Sequence, residues 1–466
     1  MSAPADSHPL QPIEIDSIVE VLQSRSAERI QEIAREAHPG DVEQAFERFD
    51  EEDRDEILAA LPTDVLSEWA DYLPPVFLES RLVTLPKGEQ REVLDALSDD
   101  ELVDFLQEVE EVERPQYLEL LPEEKQEVSQ DLLRYPEHTA GGRMTMAMAS
   151  VGAELTVKEA LDELRAVSDQ KEILSRIYVV DDERHLLGKL RLRDLAFNTW
   201  DTPVAELMDS DQTSVDAMAD QEEAAKMVAR YDLMALPVVD EERRLLGVIT
   251  HDDAIEIFEE ESTEDIERTA GIGGERGDLA YLQTSVWTHW KRRFGWVLVL
   301  AFLALTSGWV LHAFEEVMTT YYILALYLPM VVAAGGNTGA QSATMVIRAM
   351  SLGELGPAEF GRVVWKESRV GLLVGGMLGV CVAMQVQFLL PASLAPDGVQ
   401  MMEVAAVVGI ALVAQVLTST LIGASLPLLA RMARLDPAVV ASPAITTLVD
   451  VSGSVIYFLL ALALFP

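Results

Sequence analysis

The chain has 466 residues with 79 acids against 35 bases, a formal net charge of −44. Such a balance excludes nucleic acid as a partner, because phosphate binding needs basic surface. A single cysteine, Cys381, excludes a disulfide framework, and the residues form no Cys/His metal motif.

The average composition, 49% hydrophobic, hides two different polymers. Residues 291–466 carry as many acids as bases, so the whole formal charge falls on residues 1–290. An acidic part followed by a neutral, apolar part reads as a soluble appendage joined to a membrane domain. The acidity itself has two readings. Solvation as in salt-adapted proteins fits the scarcity of lysine, with eight in the chain. Ligation of divalent cations fits as well. The N-terminus, MSAPADSHPLQ, has neither a basic n-region nor an apolar h-region, so no cleaved signal peptide is expected.

Residues 1–137 read as an all-α domain. Apolar residues recur at spacings of three and four, and the pattern is broken at Leu61-Pro62, Leu73-Pro74, Leu85-Pro86 and Leu121-Pro122. Proline cannot continue a helix. Short helical segments ended by Leu-Pro predict a small superhelix of right-angled helices.

Residues 138–200 and 201–262 hold an internal repeat. YVVDDERHLLGKLRLRDLAF at 178–197 aligns with PVVDEERRLLGVITHDDAIEIF at 237–258 under a shift of 59 residues, matching Asp181 to Asp240, Gly188 to Gly247 and Asp194 to Asp253. Each copy reads as strand, turn, strand, helix, with a further helix ahead of it in TVKEALDELRAV or DQEEAAKMVARYD. The pair looks like two CBS motifs in tandem, an α/β Bateman module. Such modules bind adenine nucleotides in many proteins, which makes ATP a candidate ligand between the repeats.

Residues 263–293 connect this module to the apolar part. In GDLAYLQTSVWTHWKRRF, Leu279, Leu282, Val286 and Trp290 recur at helical spacing. Trp287, Trp290 and the basic triplet after them suit a membrane interface, so an amphipathic connecting helix in contact with lipid is predicted.

A spanning helix needs about 20 mostly apolar residues. Within 294–466 five stretches qualify: 294–314, 321–348 with GGNTG in its middle, 370–391, 404–430 and 439–465 with Asp450 inside it. The loops alternate in charge. Lys291, Arg292 and Arg293 precede the first span, and Glu315 and Glu316 follow it. Arg348, Arg362, Lys366 and Arg369 come before the third, Asp397 and Glu403 before the fourth, Arg431 and Arg434 before the fifth. Basic loops stay in the cytoplasm. The acidic part is therefore expected to be cytoplasmic and the C-terminus outside.

Asp450 is the most informative residue, because it reads as the sole acid well inside a span. A charge at that depth costs about 2.5–3.5 kcal/mol even on insertion scales, and it normally faces water or a partner. No base lies at similar depth, so a cation is its natural counter-charge. The glycines of GGNTG are expected to unwind the second span and aim carbonyls at an ion, as broken helices do in transporters. Asn337, Thr338 and Gln341 lie beside them. Pro443 disfavours helix at Ser442 and before it, freeing carbonyls near Val439 and Ser442, and Thr446 sits one turn ahead of Asp450. A carboxylate, an amide and carbonyls are hard oxygen donors, which favours Mg, Ca or Mn over zinc or copper. One carboxylate among neutral oxygens suits a hydrated ion. A membrane aspartyl protease needs two carboxylates in the membrane, and one is available.

Three segments then carry a specific resemblance. YPEHTAGGRMTM at 135–146, GGNTGAQSATMVIRA at 335–349 and LPLLARMARLDPAVVASPAITTLVD at 426–450 resemble the domain joint and the two pore signatures of the MgtE family. The domain order is also that family's, so the resemblance covers nearly the whole chain. It implies a multidomain membrane protein that is not an enzyme: a dimeric Mg2+ channel of the plasma membrane, closed by cytoplasmic Mg2+, with its pore on the dimer axis. Residues implied at the pore are Asp450, Asn337, Gly336, Thr446, Ser442 and Val439. Ser442 stands where the family leads one to expect Asn or Gly. Regulatory Mg2+ ligands are implied at Asp220, Glu222, Asp232, Asp253, Glu256, Glu261, Glu264, Asp265 and Asp436, with Asp100 and Asp104 as partners from the helical domain. Glu256 stands where Asp is expected. Another divalent cation such as Co2+ is the alternative cargo.

Overall fold

The computed structural model of the chain describes residues 14–166, 173–273, 281–396, 398–437 and 442–465. The chain divides into two compact units, Met1–Glu261 with Gly277–Ser285 and Ser262–Arg276 with Val286–Pro466.

The first unit opens with short helices from Ile15 to Leu132. The Leu-Pro pairs are joints as well as stops. Leu61 closes Glu51–Ala60 and Pro62 caps the start of Thr63–Trp69; Pro74, Pro86 and Pro122 hold the same place ahead of Pro75–Leu82, Lys87–Ala96 and Glu123–Leu132. A residue at that position needs no amide hydrogen, which proline lacks. The paired leucines, Leu61, Leu73, Leu85 and Leu121, are buried in one core with Phe46, Trp69, Phe77 and Phe105. Each dipeptide thus turns the chain and plugs the interior at once.

The repeat folds into two three-stranded sheets. β1 (Met148–Gly152), β2 (Ile173–Val180) and β3 (Leu186–Arg191) form one, and β4 (Val215–Asp216), β5 (Ala235–Val239) and β6 (Leu245–Thr250) form the other. In each, the middle strand runs parallel to the first and antiparallel to the third. The shift of 59 residues is kept down to single torsions: Arg184 and Arg243 both turn at φ 66°. The two turns bond reciprocally, Leu186 N–H to the Arg243 carbonyl at 3.1 Å and Leu245 N–H to the Arg184 carbonyl at 2.9 Å. Asp194 and Asp253 also match, each accepting the backbone N–H three residues before it at the start of a helix. This local symmetry gives the CBS pair a shared core of Met148, Tyr178, Val180, Leu186, Ala235, Val239, Leu245 and Val248.

The connecting segment differs from the single amphipathic helix expected. The helix after β6 runs His251–Thr269, and the next begins at Val286. Leu279 lies outside the described residues. Gln283 lies in a turn, buried, where its Nε2 donates to the Phe46 carbonyl at 2.8 Å. That bond to the helical domain replaces the helical continuation. Trp287, Trp290 and Phe294 stack on the first turns of the spanning helix itself.

Among the described residues, five helices of the second unit are long and apolar enough to cross a membrane: Val286–Ala313, Tyr322–Ser351, Pro357–Leu389, Met401–Met432 and Ile445–Leu464. The fourth is the most enclosed, and the first, which leans on the fifth, buries none of its residues. Close approach of backbones holds the bundle together, as small residues allow in lipid. A Cβ at Gly409 of the fourth helix would stand 3.0 Å from the carbonyl of Gly379 in the third.

Candidate functional site

The second spanning helix is unbroken from Tyr322 to Ser351, straight through Gly335–Gly339. This corrects the expectation that GGNTG unwinds. The glycines are contact points instead. A Cβ at Gly423 of the fourth helix would meet the Gly339 carbonyl at 2.1 Å, and Thr338 shares a 2.8 Å hydrogen bond with Ser419. Packing of this kind lets the backbone of Gly335–Gly339 stay helical, the cheaper solution where no water can replace its hydrogen bonds.

Gly336 points the other way, toward the fifth helix. A Cβ there would lie 3.6 Å from Thr446 Cγ2 and 3.9 Å from Asp450 Oδ1. The fold therefore brings Gly336, Thr446 and Asp450 to one locus. Asn337 and Thr446 are exposed and Asp450 is half-buried on the surface of this single chain. Ser442 is the first residue of the fifth helix, with Pro443 after it, and Val439 lies outside the described residues. Asp450 is not the only acid within a spanning helix. Glu367 sits inside Phe360–Leu389, which starts ten residues earlier than the third span expected at 370 and so takes it in. Its carboxylate accepts from Ser342 Oγ at 2.8 Å.

A second polar locus lies within the first unit, where the helix Asp99–Glu108 faces the second CBS motif. Arg143 is at its centre, donating to Asp104 Oδ2 at 3.2 Å, Glu260 Oε2 at 2.6 Å and Gln221 Oε1 at 3.1 Å. Gln221 in turn donates to Glu261 at 2.7 Å. Burial pushes the Asp104 carboxyl up to about 7 against the pull of Arg143, with Asp100 adding to the rise. Asp253 is pushed up to about 6 by burial and then by Asp100. Glu256 rises to about 7, through the protein packed around its carboxyl and then through Glu260. Burial holds Glu101 well above the usual carboxylate range, with Asp104, Glu256 and Asp100 contributing. These are acids crowded past what one arginine neutralises.

The other acids named in the sequence occupy separate places. Asp220 caps Gln221–Tyr231 by accepting from Glu222 N–H at 2.8 Å, Glu222 pairs with Lys226, and Asp232 ends that helix at φ 52°. In the second unit Arg268 pairs with Glu264 and donates to Asp436 at 2.7 Å, while Asp265 accepts from Ser351 at 3.4 Å. Glu101 and Gln221 escaped the sequence reading because nothing local to them signals a site; Arg143 lies in the segment 135–146 that carries the family resemblance, but its partners are too distant in sequence for its role to be read. Gln415 did carry a signal, as a lone amide in an apolar run.

The linkage of these protons to packing has a definite sign. Carboxyls whose pKa rises on packing bind more protons in the packed state. Packing is therefore strongest toward the ordinary carboxylate range of about 4 and weakens as pH climbs to about 7. In buffer free of divalent ions, amide exchange over residues 99–108 and 251–261, corrected for intrinsic rate, should be faster at pH 8 than at pH 5.5. Equal protection at both would mean that the acids are already neutralised.

Comparison with known proteins gives the family. A profile described as "Divalent cation transporter" matches residues 328–460, "MgtE intracellular N domain" matches 37–138, and "CBS domain" matches 143–198 and 204–260. The magnesium transporter MgtE of Thermus thermophilus is 38% identical over 450 residues, spanning 96% of this chain and 97% of that protein. The chain belongs to the MgtE family. The MgtE of Bacillus subtilis is 29% identical over 446 residues, 96% of each chain. Among solved structures, the cytosolic domain of the Mg2+ channel MgtE in complex with ATP is 36% identical, covering 52% of this chain and all of that one, at a TM-score of 0.47. MgtE proteins are membrane transporters with an intracellular N-terminal region, not enzymes.

Proposed function

We propose that this chain is a Mg2+-selective channel of the plasma membrane that admits Mg2+ and is closed by Mg2+ on its cytoplasmic side. The observation that carries the reading is Asp450, a carboxylate within a spanning helix, set against Gly336 of the second helix. Hard oxygen donors around a single carboxylate suit an ion that keeps much of its hydration. The relatives named as magnesium transporters support the choice of ion. Because Asn337, Thr446 and Asp450 reach the surface of one chain, a homodimer is the assembly that would enclose them. The alternation of basic and acidic loops puts the C-terminus outside.

Closure is assigned to the acids. Asp100, Asp104, Asp253 and Glu256 are the first group, and Glu264, Asp265 and Asp436 the second. Asp220, Glu222, Asp232 and Glu261 belong to the same regulatory set by family resemblance. Among the described residues no three His, Cys, Asp or Glu converge closely enough to cage an ion. The raised carboxyls, and an Asp104 Oδ1 that is buried with no hydrogen-bond partner among the described residues, fit a hydrated cation held by charge. Positive charge there would relieve the repulsion that Arg143 leaves over. An adenine nucleotide between the CBS motifs is a second regulatory input, resting on the paired fold alone; titration calorimetry with ATP tests it.

The main test is flux. Reconstituted in liposomes, the chain should take up Mg2+ when the cytoplasmic face sees little of it and stop when that face is loaded. Uptake indifferent to cytoplasmic Mg2+ would remove the gating half of the proposal. Faster uptake of Co2+ than of Mg2+ would hand the cargo to another divalent ion.

A further inference from the structure

We infer that Gln415 is a positioning residue for ion passage: a buried amide keyed between the helices that carry Gly336 and Asp450, setting the spacing across which the ion is recognised. The inference rests on the pore reading above.

Gln415 lies on the fourth spanning helix and is 0% exposed. Its Nε2 donates to the Val449 carbonyl at 2.9 Å. A Cβ built on Gly335 would fall 2.2 Å from that same nitrogen, and one built on Gly453 would fall 2.3 Å from it. Both are far inside van der Waals contact. The amide therefore occupies a slot that exists because one wall is a glycine of the second helix and the other a glycine of the fifth. It cannot swing away from one wall without pressing on the other.

The neighbours give this slot its meaning. Gly335 immediately precedes Gly336, and Val449 immediately precedes Asp450. One side chain thus touches the residues next to both members of the ion-facing pair. The Val449 carbonyl already serves the helix by accepting from the N–H four residues on, at Gly453. Ser452 Oγ of the same helix also donates to it, at 3.2 Å; the amide adds a bond from another helix to the turn on which Asp450 is mounted. Gln415 Oε1 has no hydrogen-bond partner among the described residues. An unmet buried acceptor is costly, and an apolar side chain would fill the space without it. Retaining an amide here makes sense if the donated bond matters more than the filling.

The test is a mutational cycle read as Mg2+ uptake in liposomes, with yield and elution volume as checks on folding. Gly453→Ala favours helix by propensity, so any loss comes from the slot. It should lower uptake at least about tenfold, and adding Gln415→Ala should restore it to within about threefold of the Gln415→Ala single variant, as expected for residues in direct contact. Gln415→Met fills the slot without a donor. It should raise the Mg2+ concentration for half-maximal uptake roughly threefold or more and lower the ratio of Mg2+ to Co2+ uptake, a discrimination that filling alone would not move. A double variant as impaired as Gly453→Ala would overturn the inference, as would Gln415→Met with wild-type half-saturation and ion ratio. Asp450→Ala is run beside these. If it keeps full uptake, the pore reading fails, while coupling between Gly453 and Gln415 still reports whether the helices are keyed as described.

Discussion

Asp450→Ala should cut Mg2+ uptake at least tenfold, on the order of a hundredfold, without loss of folded protein. The carboxylate faces Gly336 across the gap between two spanning helices, and no ion pair among the described residues includes it. A divalent ion about 5 Å from one negative charge gains about 2 kcal/mol in water and about 7 kcal/mol at the effective dielectric typical of protein sites. Even the lower figure exceeds a factor of ten in occupancy. Asp450→Asn separates charge from shape, since the amide keeps the volume and one oxygen. It should be nearly as impaired as the alanine variant. Uptake at the wild-type rate by Asp450→Asn would show that the ion is recognised elsewhere, and Glu367 would then be the carboxylate to examine within the spanning helices.

The second large effect is expected at Arg143. Its side chain is 13% exposed and its guanidinium spans Asp104 and Glu260, so it already supplies a fixed positive charge among the acids that a regulatory cation would neutralise. Removing one partner from a buried ionic group costs about 3–5 kcal/mol, because the remaining charges stay buried and unpaired. Arg143→Leu should therefore speed amide exchange over residues 99–108 by a factor of ten or more in divalent-free buffer, as one pays about 1.4 kcal/mol per decade. Millimolar Mg2+ should restore most of the protection. In flux measurements, closure by cytoplasmic Mg2+ should need a higher concentration. Arg143→Lys keeps the charge but loses the fork that reaches two carboxylates, and should fall between. Exchange unchanged in Arg143→Leu would mean that the acids repel too weakly to act as a switch.

The sequence by itself determined the division into an acidic cytoplasmic part and an apolar spanning part, because charge and hydropathy add up locally along the chain. It likewise determined the Leu-Pro joints, since proline acts on its own backbone, and the CBS pair, since a shift of 59 residues repeats the strand-turn-strand unit, as Arg184 and Arg243 show at φ 66°. Asp450 was legible because a charge in an apolar run is conspicuous wherever the helix packs. What each glycine of GGNTG does was not legible. Glycine permits unwinding and close packing alike, and the choice falls to the neighbours: Ser419 and Gly423 press on one side of the second helix, and Thr446 and Asp450 stand on the other. The partners of Arg143 were not legible either: it lies in the segment 135–146 that carries the resemblance, but its acids are 39 and 117 residues away. Gln415 was passed over in the sequence, although it is a lone amide in an apolar run, and its slot is made by two glycines on two other helices. Periodicity says which residues share a face of one helix. Only tertiary packing sets the rotation and height at which that face meets the next, and so which side chains become a site.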